Sequence, residues 1–159
     1  MEEKHTIIVT VANHVGVLAR ISGLLASRGY NIESVIGAPT ENPDIYKIHL
    51  VVIGTEERIE QVTKQLNKLV DTIKVIDISH KKNYIVREFI LIKVNAAKNR
   101  SEIFQLVEVF RAKIVDVTQN HITIDLSGPP RKVERFIKLL KPFGIKEFVR
   151  SGEVAVSET

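Results

Sequence analysis

Apolar residues recur along this chain with two different periods, and each change of period marks a new element. From His5 to Val11, Ile7, Val9 and Val11 share one face and Thr6 and Thr10 the other, the period of a strand. Asn13 to Gly16 breaks that pattern. From Val17 onward Leu18, Ile21 and Leu25 stand at i, i+3 and i+7, with Leu24 widening the stripe, which predicts a helix buried along one side. Asn31 to Ala38 reads as a second strand and Pro39 to Asp44 as a proline-bearing loop. Ile45 to Ile53 alternates again, with Ile48, Leu50 and Val52 opposite Lys47 and His49. A helix after Gly54-Thr55 carries the stripe Ile59, Val62, Leu66 and Leu69, and Thr72 to Ser79 closes the unit as a fourth strand.

The order then repeats. Tyr84 to Val94 is apolar on both faces, as a central strand is, and Asn99-Arg100-Ser101-Glu102 predicts a capping box before a helix with Ile103, Val107 and Phe110. Lys113 to Val117 and His121 to Leu126 form two further strands. Pro129-Pro130 opens a last helix, where proline is tolerated, with Val133, Phe136, Ile137 and Leu140 on its buried face. Ile145 to Arg150 and Val154 to Val156 end the chain as strands. The fold class is α+β: two tandem ferredoxin-like βαββαβ domains, residues 1–79 and 84–159, joined by a polar linker at 80–83. Each unit places both helices on one sheet face, so the other face is expected to stay uncovered and to favour homodimerisation.

Composition narrows the function. The 159 residues are 44% hydrophobic and 26% charged, which suffices for packed cores. There is no cysteine, so disulfides, thiol catalysis and thiolate metal sites are excluded. The start Met1-Glu2-Glu3-Lys4 lacks the pattern of a secretory signal, and no apolar run reaches membrane-spanning length, so a cytoplasmic address and no membrane contact are expected. A net charge of +4 invites nucleic acid. However, the basic stretches His80-Lys81-Lys82 and Arg131-Lys132 are short and the charges are otherwise interleaved, so no nucleic-acid partner is expected.

Catalytic constellations are missing. The five histidines are scattered without metal-ligand spacing, so each is expected at the surface or on a strand face, and no metal residues are assigned. The chain holds no glycine-rich phosphate loop and no G-x-S-x-G turn. An acylphosphatase-like site needs an Arg inside its phosphate cradle, and Asn13-His14-Val15-Gly16-Val17 has none. An RNA-recognition module needs aromatics on a central strand, and Lys47 to Val52 has none. No catalytic residue is assigned, and the chain is not expected to be an enzyme by itself.

The informative stretch is Asn13-His14-Val15-Gly16-Val17-Leu18-Ala19-Arg20, followed by Arg28-Gly29-Tyr30-Asn31-Ile32-Glu33-Ser34. The first part feeds a loop into a helix whose opening N–H groups have no intrahelical partner and lie at the positive end of the dipole. That arrangement suits a small carboxylate. Asn13 and Asn31 each donate and accept, so together they can hold both ends of an amino acid. Asn13 and Gly16 would also serve simply to make the turn, and spacing alone favours that plainer role.

Resemblance reverses the balance. Residues 1–79 resemble an ACT domain, and the run from Asn13 to Ser34 is very similar to the N-terminal signature of acetolactate synthase small subunits. Phe110 to Thr118, Ile124-Asp125-Leu126-Ser127-Gly128 and Arg150-Ser151-Gly152 agree with the second half of that family. Leu25 stands where Phe is usual, Val35-Ile36-Gly37 replaces a Leu-Thr-Val type run, and Asp125 and Ser127 replace Glu and Thr. The resemblance implies a homodimer with effector sites at its interface. Carried over by position, Asn13, Gly16, Val17 and Leu18 form one side of the site, and Asn31 and Ile32 of the second subunit, with Ala38, form the other. It further implies valine or another branched-chain amino acid as effector and a separate catalytic large subunit holding thiamine diphosphate and magnesium, with no cofactor in this chain. That enzyme would be activated by the small subunit and made subject to feedback inhibition. The competing reading is a free-standing ACT-type sensor acting on another enzyme or on transcription, against which no helix-turn-helix flanks the two units.

Overall fold

β1 (Glu3–Ala12), α1 (Val17–Ser27), β2 (Asn31–Pro39), β3 (Ile45–Gly54), α2 (Glu56–Asn67) and β4 (Thr72–Asp77) form the first half of the computed structural model, which describes residues 1–158. β5 (Tyr84–Asn95), α3 (Arg100–Phe110), β6 (Lys113–Val117), β7 (His121–Gly128), α4 (Pro130–Leu140), a 3-10 turn at Lys141–Phe143, β8 (Ile145–Arg150) and β9 (Val154–Ser157) follow. The sheets run β2-β3-β1-β4 and β6-β7-β5-β8, antiparallel throughout, so each half has the strand order of a ferredoxin-like βαββαβ unit.

The cores follow the two periods. Ile7, Val9 and Val11 of β1 and Ile48, Leu50 and Val52 of β3 pack with Val17, Ile21 and Leu25 of α1 and Ile59, Val62 and Leu66 of α2. In the second unit Ile90, Ile92 and Val94 meet Ile103, Val107, Val133, Phe136, Ile137 and Leu140, and the rings of Phe110 and Phe136 lie 5.0 Å apart. Leu18 departs from its expected place and is 40% exposed. The helix begins at Val17, so the inward row is Val17, Ile21 and Leu25 at i, i+4 and i+8, and Leu18 turns outward.

Asn99 does not form the expected capping box. At φ −120°, ψ 39° it lies outside the extended region that a capping side chain needs, and it makes no side-chain cap bond. Instead, Arg100 Nη2 donates to the Thr118 and Gln119 carbonyls at 2.8 and 2.7 Å and fixes the start of α3.

The chain forms two compact units, residues 1–85 together with the stretch from Gly152 on, and residues 86–151. β9, which pairs with β5, is thus grouped with the first unit, where its place in the sequence suggests the second. There Thr6 Oγ1 donates to Glu153 at 2.6 Å, and His49 Nε2 donates to the Ala155 carbonyl at 3.2 Å. The sheet face expected to be bare therefore has a partial cover from its own chain, and Thr6, Ile8, His49 and Val51 on it are buried.

This contact is pH-sensitive. Burial holds the His49 imidazole below its usual pKa, the hydrogen bond to Ala155 opposes that shift in part, and Lys47 reinforces it. A lowered folded-state value means that the unfolded chain takes up the proton first. The stability is complete above about pH 6.5 and is lost as pH falls below it. Acidification from pH 7.5 to 5.5 should make the stretch from Gly152 on easier to clip with protease. His49→Phe should remove that pH dependence; an unchanged slope in the variant would show that another group is responsible.

Candidate ligand site at the opening of the first helix

Between β1 and α1 the chain makes a tight, hydrogen-bonded turn. Asn13 N–H donates to the Asp44 carbonyl, and Asn13 Nδ2 donates to the Pro43 carbonyl, both at 2.8 Å, so this side chain secures the loop before β3. Gly16 precedes α1 at φ +82°, ψ 2°, a left-handed conformation that glycine adopts without steric cost. Val17 N–H is taken by the His14 carbonyl at 3.2 Å, and Arg20 N–H closes the first helical turn on Gly16 O at 3.0 Å. The Leu18 and Ala19 amides are then the opening N–H groups of α1 that point out of its first turn.

The electrostatics of this end are unusual for a helix start. No acidic residue lies in the first turn of α1, where one normally complements the dipole. A cation approaches it instead: Arg20, one turn on, reaches back so that its Nη1 lies 3.5 Å from where a Gly16 Cβ would stand. Arg20 is held by the buried Asp71, whose second oxygen meets His14 Nδ1 at 2.6 Å. The hydrogen bonds from His14 and then Arg20 hold the Asp71 carboxyl below the ordinary carboxylate range. Its contribution is therefore complete above about pH 4 and is lost as pH falls through the lowered folded-state value. A guanidinium 47% exposed beside the opening amides of a helix has the charge and donors that suit an anion.

Arg20 and Asp71 were not among the assigned residues. The i, i+4 spacing of Gly16 and Arg20 carries a signal for the first, because helical side chains lean toward the N-terminus. Nothing near Asp71 in sequence links it to a residue 51 positions earlier.

The seven assigned residues fall at two ends of the first unit. Asn13, Gly16, Val17 and Leu18 form the turn, with Val17 buried and the other three exposed. Ala38 pairs with Lys47, which pairs with Thr10, so it lies toward the same end of the sheet. Asn31 and Ile32 pair with Ile53 and Val52, opposite Lys4 and His5, at the other end. The 11 residues of α1 separate Asn13 from Asn31 by about 16 Å, too far for both to hold one amino acid within one copy. Beside Ala38, Gly37 has a steric reason: a Cβ there would come within 2.7 Å of the Tyr46 ring.

Comparison with known proteins covers nearly the whole chain. A family model described as the AHAS small subunit-like ACT domain matches residues 7–74, and one described as the small subunit of acetolactate synthase matches residues 87–159. The probable acetolactate synthase small subunit of Archaeoglobus fulgidus is 47% identical over 154 residues, spanning 96% of each chain. The acetolactate synthase small subunit of Mycolicibacterium smegmatis is 44% identical over 96% of this chain and 90% of its own. The crystal structure of the Thermotoga maritima acetolactate synthase small subunit superposes with a TM-score of 0.87 at 38% identity, covering 98% of this chain and 97% of that one. No helix among the described residues is long and apolar enough to cross a membrane. With an ACT domain in its first half, the matching small-subunit region in its second and this full-length likeness, the chain belongs to the acetolactate synthase small-subunit family.

Proposed function

We propose that this chain binds valine, or another branched-chain amino acid, between two copies of its ACT domain and so regulates a separate catalytic subunit. The observation that carries the reading is the α1 opening: Gly16 in a left-handed conformation, outward-facing amides, no acidic residue, and a guanidinium tied in place by a buried carboxylate. The effector carboxylate lies on the Leu18 and Ala19 amides and on Arg20. The separation of Asn13 from Asn31 requires a second copy. Two α1 helices packed antiparallel bring Asn31 and Ile32 of one copy to the turn of the other, where they meet the ammonium group and the aliphatic side chain. β2, which carries Asn31, Ile32 and Ala38, is an edge strand and so is open to such a neighbour.

The catalytic partner holds thiamine diphosphate and magnesium and condenses pyruvate with pyruvate or 2-oxobutyrate. This chain supplies no cofactor and no reacting group. It raises the partner's turnover, and valine reverses that gain because it favours one dimer geometry while the active holoenzyme prefers the other. A coupling of about 1–3 kcal/mol changes activity several-fold to a hundredfold. The test is reconstitution. Purified chain alone should bind valine and form no acetolactate; added to the catalytic subunit it should raise turnover, and valine should lower it again. Unchanged turnover in the mixture would refute the reading.

Arg20→Gln isolates the charge. It should weaken valine binding about tenfold, the worth of one charge-assisted hydrogen bond, while circular dichroism stays as in the parent chain. Equal affinities in a calorimetric titration would remove Arg20 from the site.

A further inference from the structure

At the end of β1 remote from Asn13, three metal-ligating side chains converge. Glu3 and His5 stand at i, i+2 on β1 and so project to the same sheet face, beyond the core row Ile7, Val9 and Val11. His80 follows β4, which pairs with β1, and its ring meets that of His5 edge-on with centroids 5.6 Å apart and planes at 82°. One ligand atom from each of Glu3, His5 and His80 lies within 4.8 Å of the others. We propose that these three residues bind a borderline divalent transition ion, of the class of Zn²⁺.

The surroundings of His5 set this cluster apart from a chance grouping. His5 is 2% exposed, yet only its Nδ1 is engaged, at 2.8 Å from Asp77 Oδ2. That contact leaves Nε2 as the ring nitrogen to face a metal. Asp77 is itself fixed, accepting from Ser79 Oγ at 2.6 Å and from Ser79 N–H at 3.0 Å through its other oxygen. A carboxylate that orients one imidazole nitrogen and leaves the other to a metal is the usual support of a histidine ligand. The donor set then decides the metal: two imidazoles and one carboxylate suit zinc, cobalt, nickel or copper, whereas magnesium and calcium prefer oxygen alone. Three protein ligands leave a fourth position for water.

Metal–ligand bonds of about 2.0–2.2 Å place tetrahedral donors about 3.4 Å apart, so the cluster must contract to close on an ion. Glu3 and His80 are exposed and free to turn inward, whereas His5 is the fixed member. Within one copy the site is separate from the α1 turn, because eight residues of extended β1 from His5 to Asn13 put it about 25 Å away. A bound ion would tie the first strand to the segment after β4.

The test uses the untagged, metal-free full-length chain, titrated with Zn²⁺ by calorimetry and with Co²⁺ by visible absorption. One ion per chain with a micromolar or lower Kd and the intense bands of four-coordinate cobalt are expected, with no competition from excess Mg²⁺. His80→Ala and Glu3→Gln alter exposed side chains and should each weaken binding at least tenfold without changing circular dichroism. Absence of Zn²⁺ binding at micromolar concentrations, or binding that survives His80→Ala unchanged, would overturn the proposal.

Discussion

Gly16→Asp should abolish valine inhibition of the reconstituted enzyme while the variant chain still raises the partner's turnover. Two effects add. At φ +82° any side chain is strained, and although aspartate tolerates the left-handed region better than most, the cost is on the order of 1 kcal/mol. That is too little to unfold a packed ACT unit. The larger effect is electrostatic. The Cβ of the new side chain would stand 3.5 Å from Arg20 Nη1, which puts its carboxylate in the neighbourhood of Arg20 and the α1 amides, the place assigned to the effector's own carboxylate. Valine affinity should fall at least a hundredfold, so a titration of turnover against valine becomes flat. A variant as valine-sensitive as the parent chain would mean that the site lies elsewhere.

The second large effect belongs to the other unit. Arg150 on β8 grips the nearly buried Glu88 of β5 with two parallel bonds, Nε to Oε1 at 2.9 Å and Nη2 to Oε2 at 2.8 Å, and its Nη1 meets Glu134 of α4 at 3.1 Å. The hydrogen bonds to Glu88 raise the guanidinium pKa further above its ordinary value, with Glu134 adding to the effect and burial opposing it. One side chain thereby joins two strands and a helix. Arg150→Met would strand the Glu88 carboxylate, 5% exposed, without its cation, and stranding such a charge costs about 3–5 kcal/mol. Urea unfolding should show that loss in the transition of the second unit. Replacing Glu88 as well, by Met, should recover much of it, since an apolar pair leaves no buried charge. A single-variant loss below about 1 kcal/mol would show that water replaces the arginine.

The sequence carried most of the fold because strand and helix periods alternate cleanly here. Val133, Phe136, Ile137 and Leu140 were legible as a buried face, and all four are buried. What stayed hidden depends on partners distant in sequence. Nothing in Val154-Ala155-Val156 tells which sheet it covers, because its bond to His49 spans 106 residues. His5 and His49 lie on strand faces as expected, but their burial depends on partners no local pattern announces. The α1 turn was half legible: Gly16 was visible in its motif, while the Arg20–Asp71–His14 cluster that sets its charge was not. Asn99 failed as a cap because its backbone angles follow from the loop before it, which spacing does not reveal.

Isothermal calorimetry of valine into the purified chain, with no catalytic partner present, tests the central claim most directly. A saturable heat, absent with an amine that lacks the carboxylate and absent in Gly16→Asp, is the predicted result. No heat with valine, leucine or isoleucine, or the same heat in Gly16→Asp, would contradict it.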